Sequence, residues 1–318
     1  MRMLLGLVAW ISLSAHAASG PLCFENTCLQ VLEAKAGRAF LSQPDGFFRA
    51  LTPYDRSMRL KVDREVSAEE FARFAGEQAL SWTAQDRKQL QGAVAWLRKA
   101  LAEKKVAYGF LPRRVRVIKT TGLEEGQAPY TRGAAIILPA GLFKKPELLG
   151  AVLAHELVHI LLRSVYPERR DAAYALAGYR PLLGFVLPED AGPRLLTNPD
   201  GFGYSHAATL ADGTRVVPVL TGTGPYDPAR GGEFFSYLKF RLLEVEDHQG
   251  IPRAKRDVSG ALVWRDPGRA YLDAVRSATD YVIHPDELIA SNFEALLSGR
   301  EAPPGTLPKL LAKHLARR

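Results

Sequence analysis

Two cysteines in 318 residues are too few for a disulfide scaffold, and a chain of this length can bury enough core to fold without one. Beyond the first twenty residues no apolar run approaches the roughly twenty residues that a membrane-spanning helix needs, so no transmembrane segment is expected. Internal repeats and low-complexity tracts are absent. No nucleic-acid-binding motif occurs, and the formal charge of +8, from 42 Lys and Arg against 34 Asp and Glu, is dispersed along the chain. With 24 % charged and 47 % hydrophobic residues, the composition excludes a disordered chain, a collagen-like repeat and a polytopic membrane protein. One large globular domain or two smaller ones fit the length.

Met1-Arg2-Met3 precedes an apolar run from Leu4 to Leu13, and Ser14-Ala15-His16-Ala17-Ala18 follows it. A basic start, a short apolar stretch and small residues at the cleavage point make a secretory signal peptide, placed at residues 1–17. The protein is therefore expected to be exported, periplasmic or secreted. In an oxidising compartment Cys23 and Cys28 would join to each other. So short a loop removes little chain entropy, so this bond would pin the N-terminus locally rather than hold the fold.

Ser67-Ala-Glu-Glu70 reads as a capping box opening a helix to about Leu80. Residues 83–105 read as a long amphipathic helix with Leu90, Val94, Leu97 and Leu101 on one face. Residues 18–105 are thus expected to form a helical lobe or a removable prosegment. Two β-rich runs follow, 115–118 and 134–138, and Pro146 suits the first turn of a helix reaching about Arg163. Residues 181–267 are richer in Gly, Pro and Thr, with strands expected at 215–220 and 234–245 and a hairpin turn at Asp212-Gly213. A helix from Pro285 to just before Gly299 and a basic tail, 310–318, complete an α+β pattern.

The 151–162 stretch contains His155-Glu156-Leu157-Val158-His159, an HExxH motif. Histidines four apart share one helix face, so both imidazoles can reach one Zn²⁺ at about 2 Å. Glu156 lies beside them, placed to act on water. Two imidazoles and a carboxylate inside so apolar a helix are costly to desolvate, and a metal offsets that cost. The metzincin continuation is excluded, because Leu162 and Val165 stand where it requires glycine and histidine. Glu287, Glu294 two turns further along the same helix face, and His284 are the candidates for a third ligand.

Glu287, Ala290 and Phe293 form E-x-x-A-x-x-F, and Tyr281 precedes the glutamate by six residues. With the HExxH motif, this resembles the gluzincin metallopeptidases across residues 115–163 and 279–297. The resemblance implies a zincin-like catalytic domain over 106–318, with a small sheet packed on the HExxH helix and a strand-rich insertion at 181–267. It implies one Zn²⁺ per chain held by His155, His159 and Glu287, and peptide-bond hydrolysis with Glu156 as general base. Tyr281 is the implied oxyanion donor; Tyr204, His206 and His284 are the reserves. Such sequences often carry an acid after the alanine, whereas this one has Ser291, so the support around its ligands is expected to differ. Strand 134–138 would offer an exposed edge to an extended peptide or protein substrate.

Two rival functions remain. A zinc hydrolase could cut cell-wall amides, with Lys309, Lys313, Arg317 and Arg318 attracting an anionic wall polymer. A non-catalytic exported metal-binding protein is the other, but recognition alone does not need Glu156.

Overall fold

The structure is a computed structural model describing residues 22–315; the expected signal peptide and Arg317 and Arg318 of the tail lie outside the described residues. A hairpin opens it, β1 (Cys23–Phe24) and β2 (Thr27–Leu32), in which Cys23 faces Cys28 and the two are disulfide-bonded. Helices α1 (Ala34–Leu41), α2 (Gly46–Ala50), α3 (Pro53–Leu60) and α4 (Ala68–Glu77) precede the short strand β3 (Ala79–Leu80). Next come α5 (Ala84–Lys104), β4 (Arg114–Thr120), β5 (Tyr130–Arg132), β6 (Ala135–Pro139) and α6 (Leu149–Ser164).

Helix α7 (Pro167–Leu176) leads into a second set of strands. These are β7 (Tyr179–Pro181), β8 (His206–Thr209), β9 (Arg215–Gly222), β10 (Leu238–His248), β11 (Ile251–Ala254) and β12 (Trp264–Arg265). Helices α8 (Arg269–Val275), α9 (Pro285–Leu297) and α10 (Leu307–His314) finish the described chain. The fold is α+β with two sheets, and no helix among the described residues is long and apolar enough to cross a membrane.

The first sheet runs β1-β2-β4-β6-β5, with β2, β4 and β6 parallel and β5 antiparallel at the edge. Its inward residues Val115, Val117, Ile136 and Leu138 share one core with Leu90, Val94, Leu97 and Leu101 of α5 and Leu149, Leu153 and Leu157 of α6. Burying each such side chain contributes roughly 1.5–3 kcal/mol. Helix α5 approaches α6 closely because Gly150 has no side chain; a Cβ there would lie 2.5 Å from the Trp96 ring. Residues from the 18–105 stretch are thus built into the same sheet and core as α6. The antiparallel second sheet, β11-β10-β9-β8-β7, turns Val216 and Leu242 toward that core and Val217 and Leu243 toward a cluster of its own.

Five expectations need correction. The 18–105 stretch is not only helical, since β2 pairs with β4. Helix α4 stops at Glu77 because Ala79 and Leu80 give their backbone to Thr120 and Lys119 of β4. At its start Ser67 accepts from the Glu70 amide, but the Glu70 carboxylate turns to Arg64 at 3.0 Å instead of closing the box. The 234–245 stretch begins as a 3₁₀ turn, Phe234–Tyr237, and becomes strand only at Leu238. Finally, the strand before α6 is not an edge: β6 lies between β4 and β5.

Asp86 connects α5 to the sheet. It closes the capping box with Thr83, accepting that residue's amide at 2.8 Å, and takes Lys119 Nζ at 2.6 Å. Burial opposes its charged form, but the bonds from Lys119 and Thr83 outweigh burial and hold its pKa below the ordinary 3.8. Stability from a lowered carboxylate pKa is fully present above the unfolded value and is lost as pH falls through the folded one. Asp86→Asn is therefore expected to cost about 2 kcal/mol near neutrality. In thermal melts the gap to the parent should narrow only below about pH 4; a gap independent of pH would contradict the assignment.

Candidate metal centre

Helix α6 is buried on nearly every side, so its polar residues have only protein to meet. His155 and His159 stand one turn apart with ring centroids 4.9 Å from each other. Across from them α9 starts at Pro285, whose fixed φ suits a first helical position. His284 caps that start, its Nδ1 accepting the Asp286 amide at 3.1 Å. The first turn then carries Glu287 against α6, with Oε2 lying 3.1 Å from His155 Nε2 and 3.5 Å from His159 Nε2. One ligand atom from each of the three residues falls within 4.8 Å of the others.

These residues fit a divalent cation. His159 is fully buried, and among the described residues neither ring nitrogen has a hydrogen-bond partner; Glu156 Oε2 is likewise buried and unpartnered. Unmet polar atoms at this depth cost free energy that a cation coordinated at Nε2 would offset. Two imidazoles with a carboxylate form a donor set that suits zinc. Glu294 sits elsewhere: it approaches His155 Nδ1 at 3.5 Å, on the ring's other side, and pairs with Arg300 at 2.7 Å. Burial pushes the Glu156 carboxyl up to about 8, and the charge of Asp200 adds to it. Glu287 is buried too, but the two imidazoles hold it well below the usual carboxylate range.

A cleft of about 260 Å³ opens on these groups. Glu125, Glu156, Asp200, Glu287 and Glu294 line it, and among the described residues no Lys or Arg does. Leu196, Leu220, Phe234, Phe235, Leu238 and Ile283 form an apolar wall. Tyr281 is also in the lining, its ring centroid 6.4 Å from that of His155. Although the residue is half-exposed, the protein crowded around its hydroxyl and the nearby carboxylates, Glu287 first, hold the pKa above the ordinary value, so the hydroxyl stays protonated.

The three reserve donors are not brought to this cleft. His206, on β8, is bonded through Nε2 to Asp171 at 2.9 Å and stands edge-on to the Tyr174 ring. His284 is taken up by capping α9 and by donating from Nε2 to the Gly203 carbonyl at 3.1 Å. Tyr204 is half-buried beside Thr52 and Phe202 in a neighbouring pocket. Ser291 bonds Thr279 and the Leu288 carbonyl, away from the imidazoles.

Support for the ligands comes from a loop that the sequence does not mark as functional. Asn198-Pro199-Asp200-Gly201 carries a turn signature and nothing more. In the fold, Asn198 Nδ2 donates to Glu287 Oε1 at 2.7 Å. Asp200 lies close to Glu156 and His159 and accepts the Thr131 amide at 2.8 Å. That amide, on edge strand β5, is therefore already taken. The loop is held from behind by α3: Asp55 accepts the Thr197 amide at 2.7 Å, and Arg59 donates to the Thr197 carbonyl at 2.7 Å. Arg59 is 2 % exposed, pairs with Asp55 and Glu125, and lies over the Phe234 ring.

Gly201 closes the loop against α9, where a Cβ would fall 2.1 Å from His284 Nδ1. Gly201→Ala is expected to push the cap off α9 and cost about 1–3 kcal/mol. Thermal unfolding checks this; an unchanged melting temperature would show that the contact yields freely. No family model, no curated protein and no solved structure matches this chain.

Proposed function

We propose that the protein is an exported zinc metallopeptidase of the gluzincin type, built on a zincin-like catalytic domain. The observation that carries this reading is the convergence of Glu287 Oε2 on the Nε2 atoms of both HExxH histidines. Zn²⁺ held by His155, His159 and Glu287 would supply Lewis acidity beside Glu156. Beside a dication so placed the Glu156 carboxyl would return to its charged form, and its unpartnered oxygen would accept a proton from the attacking water and return it to the leaving amine. Tyr281, in the cleft lining, donates its hydroxyl proton in a hydrogen bond to the oxygen that gains charge. The apolar wall excludes water and takes up a substrate side chain.

The lining favours peptides over an anionic wall polymer. Among the described residues the lining carries Glu125, Glu156, Asp200, Glu287 and Glu294 and no Lys or Arg, so it offers a polyanion no fixed cationic side chain apart from the imidazole of His155. Export is supported by the leader sequence and by the Cys23–Cys28 bond.

Metal analysis and casein cleavage test the reading together. The parent should hold one zinc per chain, lose cleavage to a chelator and regain it with zinc. Glu156→Gln should keep the metal and lose about 10²–10⁴-fold in turnover; full activity in that variant, or cleavage of purified wall material but not casein, would refute the proposal. Glu287→Ala should abolish zinc retention whereas Glu294→Ala should not, and the reverse pattern would move the third ligand to Glu294.

A further inference from the structure

The two oxygens of the Glu287 carboxylate have different neighbours. Oε2 faces the imidazole pair, while Oε1 accepts from Asn198 Nδ2 at 2.7 Å. Asn198 cannot reverse its amide without loss, because its Oδ1 already accepts the Asp200 amide at 3.1 Å. The residue is fixed on both sides as well. Thr197, before it, is bonded through its amide and its hydroxyl to the two oxygens of Asp55. After it, the Gly201 amide donates to the Asn198 carbonyl at 3.3 Å, closing the turn.

A carboxylate free to rotate can present both oxygens to a dication. That adds a donor and fills a position which a hydrolytic site must leave to water. Partners of a ligand that sit just outside the coordination shell orient it and tune its affinity. We propose that Asn198 is a positioning residue: by occupying Oε1 it restricts Glu287 to a single donor oxygen and keeps the site open. It thereby takes up a supporting role that Ser291, turned toward Thr279, does not fill. The inference rests on the metallopeptidase reading above and extends it to a segment outside both sequence motifs.

The test compares the parent with Asn198→Ala and the near-isosteric Asn198→Leu, both of which remove the donor. Zinc affinity is measured by competition with a chelating dye, and the coordination number by the visible absorption of the Co²⁺-loaded proteins. Both variants are expected to bind zinc roughly ten- to a hundred-fold more weakly. Their cobalt bands should lose intensity, as happens when a fourfold site gains a donor. Thermal melts of the metal-free proteins identify a variant that fails to fold, in which case the other variant decides. Parent-like affinity and spectrum would overturn the inference. So would weaker binding with an unchanged spectrum, since Asn198 would then merely support its loop. A parent protein that takes up no divalent ion is a separate result, overturning the metallopeptidase reading and this inference with it.

Discussion

One buried guanidinium ties the beginning of the chain to the loop that completes the site. Arg59, on α3, has no access to water and is surrounded by Asp55, Glu125 and the Thr197 carbonyl. Removing such a charge from solvent is tolerable only when its partners are well placed, and losing one partner from a buried pair typically costs about 3–5 kcal/mol. Asp55 serves two masters: it accepts from Arg59 with the oxygen that also takes the Thr197 amide. The loop's position is therefore set by the same interaction that neutralises Arg59. Asn198 and Asp200 inherit that position, and Glu287 inherits its orientation from Asn198.

The arrangement divides labour between elements of different stiffness. The histidines stand on a helix packed on nearly all sides, where rotamers have little room. Glu287 stands in the first turn of α9, whose start is fixed by Pro285 and the His284 cap. The groups that steer these donors sit on a turn, but that turn is bound on one side to α3 and on the other to β5. A site assembled this way draws its precision from hydrogen bonds that span from 66 to 142 residues of sequence.

The parts legible in the sequence were those with a period. Leu90, Val94, Leu97 and Leu101 recur at helical spacing. The HExxH histidines are legible for the same reason, since four residues return a helix to one face. Glu287 is singled out by the resemblance of E-x-x-A-x-x-F to the gluzincin pattern; the helix start at Pro285 and the residue spacing alone leave Glu294 and His284 beside it. Asn198 and Asp200 are not legible, because a loop has no period and their partners are distant in sequence. Strand β5, three residues long, is too short to carry an alternating pattern, and the true edge of the first sheet is hidden with it. His206 and His284 were attractive by residue type alone; burial and a carboxylate or carbonyl neighbour gave them other work.

The His155–Glu287 contact spans 132 residues of sequence. A nascent chain emerging N-terminus first makes α6 long before α9, so the histidine pair waits for Glu287 until the closing helices are made. The centre is therefore incomplete through most of synthesis, and truncation ahead of α9 would remove Glu287 together with Leu288, Ile289 and Phe293, which belong to the core that α6 shares with the first sheet.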